Sequence, residues 1–376
     1  MKYYSGKHPF NDSWKICFFL NCWNFFRFLK KKPPLPKKIN SILVCNWANL
    51  GDVLLATSIL AALKEKWPTA KIGFLTSPDS QVVLKNHPLI NKIHTASNWK
   101  KETLFRPLAT KIKIFLHSLI SSKNPVIKEI NQENYDLALD LHPFFPNCSY
   151  LLRKTNIPCL LEFDSARFQS AKSYTVNFPD KLSYLPNVYS AFLDALNISS
   201  KPLKPNFHFI NTPPLKNQNY IVLHVGTTEE RREWPIDHWK TLAKKLSSEG
   251  KTLVFTGQGK REQEAIHEIS SSLPQCLNLC NKLDWNGFIS VIKEAQFVIS
   301  VNTVTVHLAA LLNTPGIGLY IFTREPELWI PDYGSLHFFV HTGPHVYFSD
   351  PDFLKNRKNI TELLDITPDV VFSFLK

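Results

Sequence analysis

Several signatures that would settle a chain's chemistry at once are missing from this one. There is no G-x-x-x-x-G-K-[ST] phosphate loop, no G-x-S-x-G nucleophile elbow and no G-x-G-x-x-G fingerprint, so none of those three motifs carries the function. Seven cysteines (17, 22, 45, 148, 159, 276 and 280) include no C-x-x-C pair and are odd in number, which excludes a closed disulfide framework and fits reduced thiols in a cytosolic protein. There is also no H-E-x-x-H. His337, His341 and His345 recur every four residues, but Gly343-Pro344 breaks any helix that would align them, so no metal site is expected. No apolar run is long enough to span a bilayer, no small-residue cleavage site follows the N-terminal aromatic segment, and no short-period repeat is present.

What is present points to two domains, because 376 residues exceed the size at which a single core usually stops growing. The net charge of +13 raises the question of an anionic partner, and its distribution narrows the answer. Residues 1–38 hold nine Lys or Arg against Asp12, or +8 of the total, leaving a mildly basic body. A nucleic-acid binder would interleave basic and aromatic residues through the body, so no nucleic-acid partner is expected. Trp14 to Leu29 is instead dense in aromatics and followed by Lys30-Lys31-Lys32 and Pro33-Pro34, the composition of an interfacial helix on an anionic leaflet. A helix packed on the core, or a basic signal-like segment, is the plainer alternative. Residues 107–131 form a second lysine-rich amphipathic stretch, fit to cover a cleft or touch membrane.

Apolar runs and helical periodicity alternate from residue 39 onward. Ile42-Leu43-Val44-Cys45 reads as a buried parallel strand, Gly51-Asp52 as a tight turn and Val53 to Trp67 as a helix; strands follow at 71–75 and 135–141. The proline-rich run through 202–218 has linker composition. The pattern then restarts, with strands at 220–225, 252–256, 297–301 and 316–320, and helices from Pro235, from about Arg261 and from Val304 to Leu312. The expected organisation is an extension (1–38), an N-terminal α/β domain (39–205), a linker (206–218) and a C-terminal α/β domain (219–376), with parallel sheets facing an interdomain cleft. The last helix is a candidate to pack back on the N-terminal domain.

Three constellations offer chemistry, each with a bland counterpart. Asp52 stands where a base could act, although an Asp before an apolar helix commonly serves as an N-cap. Thr227-Thr228 with Arg231 and Arg232 before Trp234-Pro235 suits a diphosphate, through hydroxyl, N–H and bidentate guanidinium contacts; a solvated Glu/Arg loop would look the same in isolation. Asn302-Thr303-Val304 opens a helix whose N-terminus carries partial positive charge, with His307 one turn in, but capping alone accounts for Asn302 and Thr303.

Taken in order, Leu50-Gly51-Asp52-Val53-Leu54-Leu55-Ala56-Thr57, the Thr227-Thr228 to Trp234-Pro235 loop and Asn302 to Ala310 with Pro315 resemble the ADP-heptose:lipopolysaccharide heptosyltransferases of glycosyltransferase family 9. The likeness runs from about 40 to 330 and includes Tyr135-Asp136 leading to Leu139-Asp140. It implies a GT-B fold, with the acceptor on the N-terminal domain and a nucleotide sugar on the C-terminal one. It implies further that Asp52 is the general base of an inverting, metal-independent transfer, with ADP-heptose as co-substrate and no cofactor. Thr227, Thr228, Arg232, Asn302, Thr303, Val304 and His307 fall on the donor side. Asn49, Gly51, Asp140 and His142 fall on the acceptor side. The family pattern has Asp-Thr-Gly where this chain has Asn302-Thr303-Val304, which loses a charge and narrows the approach to the helix N-terminus. The expected partners are ADP-heptose or a similar nucleotide sugar, a lipid-linked glycan acceptor and an anionic membrane surface. That places the protein in the cytoplasm, peripheral on the inner face of the inner membrane. A relative with another sugar or acceptor, or a silent nucleotide-sugar-binding relative, is the alternative.

Overall fold

The computed structural model describes residues 35–97, 110, 124–144, 147–164, 173–199, 202–212, 215, 219–271, 273, 276–323, 325–343, 352–356 and 358–375. The aromatic and lysine-rich N-terminal segment, most of 107–131 and His345 lie outside the described residues. The chain divides into two compact units, 1–180 with 186–208 and 181–185 with 209–376. Lys181–Leu185 departs from the predicted boundary by grouping with the second unit.

In the N-terminal unit, strands β1 (Ser41–Cys45), β2 (Lys71–Thr76), β3 (Lys92–Thr95), β4 (Leu137–Asp140), β5 (Cys159–Phe163) and β6 (Ser173–Val176) form a parallel sheet in the order β3-β2-β1-β4-β5-β6. Every residue of β1, β4 and β5 is buried, as parallel strands covered on both faces are. On one side Leu43, Leu75, Ala138 and Leu160 join Ile127 and Ile130 in a single core. A fully buried leucine or isoleucine there contributes roughly 1.5–3 kcal/mol by leaving water.

The first helix corrects the sequence reading. Helix α1 spans Leu50–Ala56, beginning three residues before the predicted start, and the chain continues through a 3-10 turn (Thr57–Ile59) into a separate helix, Leu60–Lys66. Gly51 therefore occupies the second helical position and not a turn. Asn49 is the N-cap, and Asp52 is the third helical residue, with its Oδ2 accepting the Asn49 N–H at 3.3 Å. Asn49, directly before the helix, takes the capping role that Asp52 was expected to compete for.

In the C-terminal unit, β7 (Tyr220–His224), β8 (Thr252–Thr256), β9 (Cys276–Asn278), β10 (Phe297–Val301), β11 (Gly316–Tyr320), β12 (Leu336–His341) and β13 (Ile360–Leu363) form a second parallel sheet, ordered β13-β12-β11-β10-β7-β8-β9. Helix α2 (Ile236–Ser248) buries Trp239, Leu242, Ala243 and Leu246, one face at helical spacing. Pro235 is its N-cap, not its first turn. Helices α3 (Lys260–Ser270) and α4 (Val304–Leu312) follow β8 and β10. The last helix, α5 (Pro368–Ser373), groups with this unit and packs on α2. Lys245 pairs with Asp369, Val371 joins the same core as Trp239, and Trp234 Nε1 donates to the Ile366 carbonyl at 2.7 Å just before α5. His337 and His341 lie on β12; His337 Nε2 meets Thr361 Oγ1 at 2.8 Å, and His341 Nδ1 accepts from Gly343 N at 3.0 Å. The five described cysteines are all free.

Candidate active site

Each sheet reverses its strand order once, and each reversal gathers the residues singled out in the sequence. In the N-terminal sheet the chain runs outward through β1-β2-β3 on one side and β4-β5-β6 on the other, so the loops leaving β1 and β4 part at the carboxyl edge, the usual place for a ligand in such sheets. Cys45 pairs with Asp140 across that point, which brings Asn49, Gly51 and Asp52 after β1 beside Asp140 and His142 after β4.

The β1 loop is held from below. Asn46, fully buried, accepts the Ala48 N–H at 3.1 Å and donates to the Asp52 carbonyl at 3.4 Å, while Ser77 and Ser80 donate to the Ala48 carbonyl at 3.2 and 2.9 Å. Asp52 is thereby presented in the first turn of α1, behind a short, braced loop. Asp140 is different. It is wholly buried, opposite Glu162 in register, and the two carboxyls are bridged by Ser149 Oγ, which lies 3.3 Å from Asp140 Oδ2 and in close contact with Glu162 Oε2. Asn147 Nδ2 donates to both Ser149 Oγ (2.8 Å) and Glu162 Oε2 (3.2 Å). Burial, reinforced by the Glu162 charge, pushes the Asp140 carboxyl up to about 8. Asp140 therefore supports the edge from inside, and His142, whose N–H reaches Asp140 Oδ1 at 3.3 Å, is the more accessible of the two. Tyr189, buried nearby, has its hydroxyl in the field of both Asp52 and Asp140, and burial chiefly holds it well above the usual phenol range.

The second sheet reverses between β7 and β10, bringing the loop 225–235 next to Asn302-Thr303. Thr227 is buried and Thr228 exposed. Arg261, near the start of α3, stitches the loop: it donates to the Thr227 carbonyl and faces Glu230 at 3.3 Å and Glu233 at 2.8 Å. Arg231 and Arg232 both engage Glu229. Beneath them Gly226 leaves room for Glu262: a Cβ there would lie 2.0 Å from the Glu262 carboxyl carbon, so the Glu262 side chain would have to move. Thr303 caps α4 by accepting the Thr305 N–H at 3.4 Å, and Asn302 Nδ2 reaches Thr323 Oγ1 at 3.4 Å. His307 is not with them: it is buried, with Nδ1 3.0 Å from the Tyr184 hydroxyl, and desolvation lowers its pKa to about 3, so it is a neutral packing residue. His224, hydrogen-bonded to Thr256 Oγ1 at 2.9 Å, is likewise held down to about 4.

Residues 125–334, more than half of the chain, match the family model described as glycosyltransferase family 9 (heptosyltransferase). The chain belongs to glycosyltransferase family 9. It is accordingly a glycosyltransferase. It is 26% identical over 315 residues to lipopolysaccharide heptosyltransferase 3 of Escherichia coli, covering 76% of this chain and 88% of that relative. Among solved structures it resembles E. coli heptosyltransferase WaaC with ADP, at TM-score 0.67 and 19% identity over 89% of this chain and 98% of that one. A glycosyl transferase of family 9 from Veillonella parvula DSM 2008 matches at the same TM-score and identity, over 89% and 95%. These likenesses establish the fold as two Rossmann-like domains of the GT-B class.

Within that family 9 fold, sequence patterns mark the loops and pass over their supports. Glu162, Ser149, Asn147, Tyr189, Arg261 and Glu262 belong to no motif read from the sequence. Glu162 has a usable signal, a carboxylate inside the apolar run Cys159-Leu160-Leu161-Glu162-Phe163, which only a partnered acid tolerates. The others become neighbours of the site through tertiary pairing alone.

Proposed function

We propose that this chain transfers a heptose from ADP-heptose to a lipopolysaccharide inner-core acceptor, with inversion at the anomeric carbon, no metal and no cofactor. The observation that carries the reading is that Asp52 stands in the first turn of α1, behind the braced loop that leaves β1 at the strand-order reversal of the N-terminal sheet. An acceptor hydroxyl would attack the anomeric carbon as its proton passes to the Asp52 carboxylate and the C–O bond to the ADP phosphate breaks. Thr227, Thr228, Arg232 and the N-terminus of α4 at Asn302, Thr303 and Val304 would bind the diphosphate. There they would offset the negative charge that develops on ADP, work otherwise assigned to a metal ion. Asn49, Gly51 and His142 line the acceptor side, with Asp140 beneath them. His307 enters as the packing partner of Tyr184.

The acceptor is lipid-linked, so residues 1–38 act as a basic aromatic anchor on the cytoplasmic face of the inner membrane. Among the described residues no helix is long and apolar enough to cross a membrane. A second reading follows from Asn302 and Val304, which stand where the family pattern has Asp and Gly: a different donor sugar or acceptor, or loss of turnover.

Mass spectrometry of a Kdo-bearing lipid A acceptor incubated with ADP-heptose and EDTA tests the first reading. A gain of one heptose with wild type and none with Asp52→Asn is expected. No gain with a folded wild type would favour the second reading, and a gain that vanishes with EDTA would overturn metal independence.

A further inference from the structure

The loop between β7 and α2 carries three glutamates, and they divide between two different sets of cations. Glu230 and Glu233 face Arg261, and Glu233 also accepts the Thr227 N–H, so this set closes the loop on itself and on α3. Glu229 is arranged otherwise. Its Oε2 accepts from Arg231 Nε at 2.9 Å and Nη2 at 2.6 Å, and its Oε1 lies 3.1 Å from Arg232 Nη2. The Arg232 N–H donates to the Glu229 carbonyl at 2.8 Å, fixing the two residues together through a 3-10 turn as well. One carboxylate therefore engages both guanidinium groups immediately after Thr227-Thr228.

Guanidinium recognises carboxylate and phosphate through the same planar, bidentate geometry. Glu229 and Arg231 are half-exposed, so the bond between them is of the kind that water and competing ions weaken. We propose that Glu229 is an internal substitute for the donor's diphosphate. It neutralises Arg231 and Arg232 in the resting protein, a nucleoside diphosphate binds by displacing it, and Glu229 thereby sets the affinity of the loop for diphosphates. This rests on the donor-side reading of the loop given above.

Calorimetric titration of the full-length protein with ADP tests it, using Glu229→Gln, Glu230→Gln and Arg232→Ala, with circular dichroism to confirm folding. Glu229→Gln should bind ADP about five-fold more tightly, the scale of an exposed ion pair. Glu230→Gln removes the same charge from the same loop and should change binding less than about two-fold, while Arg232→Ala should weaken it. If Arg232→Ala weakens binding but Glu229→Gln leaves it unchanged or weaker, the substitution idea falls and the donor reading stands. Equal tightening by Glu229→Gln and Glu230→Gln would reduce the effect to bulk charge and overturn the proposal. ADP binding that is absent throughout, or indifferent to Arg232, overturns the donor reading and the proposal together.

Discussion

The two sheets present their loops at the same kind of strand-order reversal, yet among carboxyls and imidazoles burial shifts a carboxyl furthest in one unit and two imidazoles furthest in the other. Under the N-terminal edge lie two carboxyls, Asp140 and Glu162, with Asp140 raised to about 8. In the C-terminal unit two imidazoles, His224 at the end of β7 and His307 inside α4, are lowered to about 4 and about 3. Desolvation acts identically on both by penalising the charged form, so Asp140 holds its proton near neutral pH and the imidazoles lose theirs. The comparison separates two sets of groups. Asp140, His224 and His307 are mostly uncharged near neutral pH, while Asp52 stands in the first turn of α1 and Arg231 and Arg232 in the loop after β7.

The sharpest way to break this division is to exchange charge for geometry on each side. Asp52→Asn should reduce turnover by about 10²–10⁴-fold, the range for a lost general base, with ADP affinity nearly intact in a binding titration. Retained turnover would make Asp52 only the partner of the Asn49 cap. On the other sheet, Gly226→Ala drives a methyl into the Glu262 carboxyl, which itself accepts the Gln258 N–H at 2.9 Å. Such overpacking costs about 1–3 kcal/mol, and the thermal midpoint and ADP affinity should fall together. An unchanged midpoint would mean that Glu262 swings aside freely.

The buried groups predict opposite pH responses. For His307, between its ordinary 6.5 and about 3 the unfolded chain binds a proton that the native chain refuses, so stability falls as pH drops through that window. At pH 5 the loss is about 2 kcal/mol, and His307→Gln should remove it in urea titrations at pH 7 and pH 5. For Asp140, between its ordinary 3.8 and about 8 the native chain holds a proton that the unfolded chain has released. Its contribution is therefore fully present below about pH 4 and is lost as pH rises toward 8. Asp140→Asn should flatten that slope, most visibly in hydrogen exchange of β4 and β5. A slope of the same sign in both variants would dissolve the contrast between the edges.

Much of the architecture is legible in local patterns. The continuous apolar runs at 42–45, 252–256, 297–301 and 316–320 are strands, and Val304 to Leu312 is a helix with those ends, because burial of parallel strands and a polar Asn-Thr start leave local marks. The strands at 92–95, 173–176, 276–278 and 360–363 leave none. They are short and lie at or near sheet edges, where half-exposed residues dilute the apolar signal. The start of α1 is misplaced by the pattern because Gly51 has turn character, whereas the Asn49 cap and the Asp52 contact to its N–H carry the helix through it.

Residues near one another in the chain are enough to specify the two βα-repeating units, the switch loops at 46–52, 225–235 and 302–304, and the family to which the chain belongs. What those loops rest on is settled in three dimensions. Asp140 meets Glu162 across two strands, His307 meets Tyr184 from more than a hundred residues away, and Glu262 fills the space that Gly226 leaves open. Those pairings arise from strand register and burial, and burial, which no local pattern reports, is what sets the protonation of Asp140 and His307.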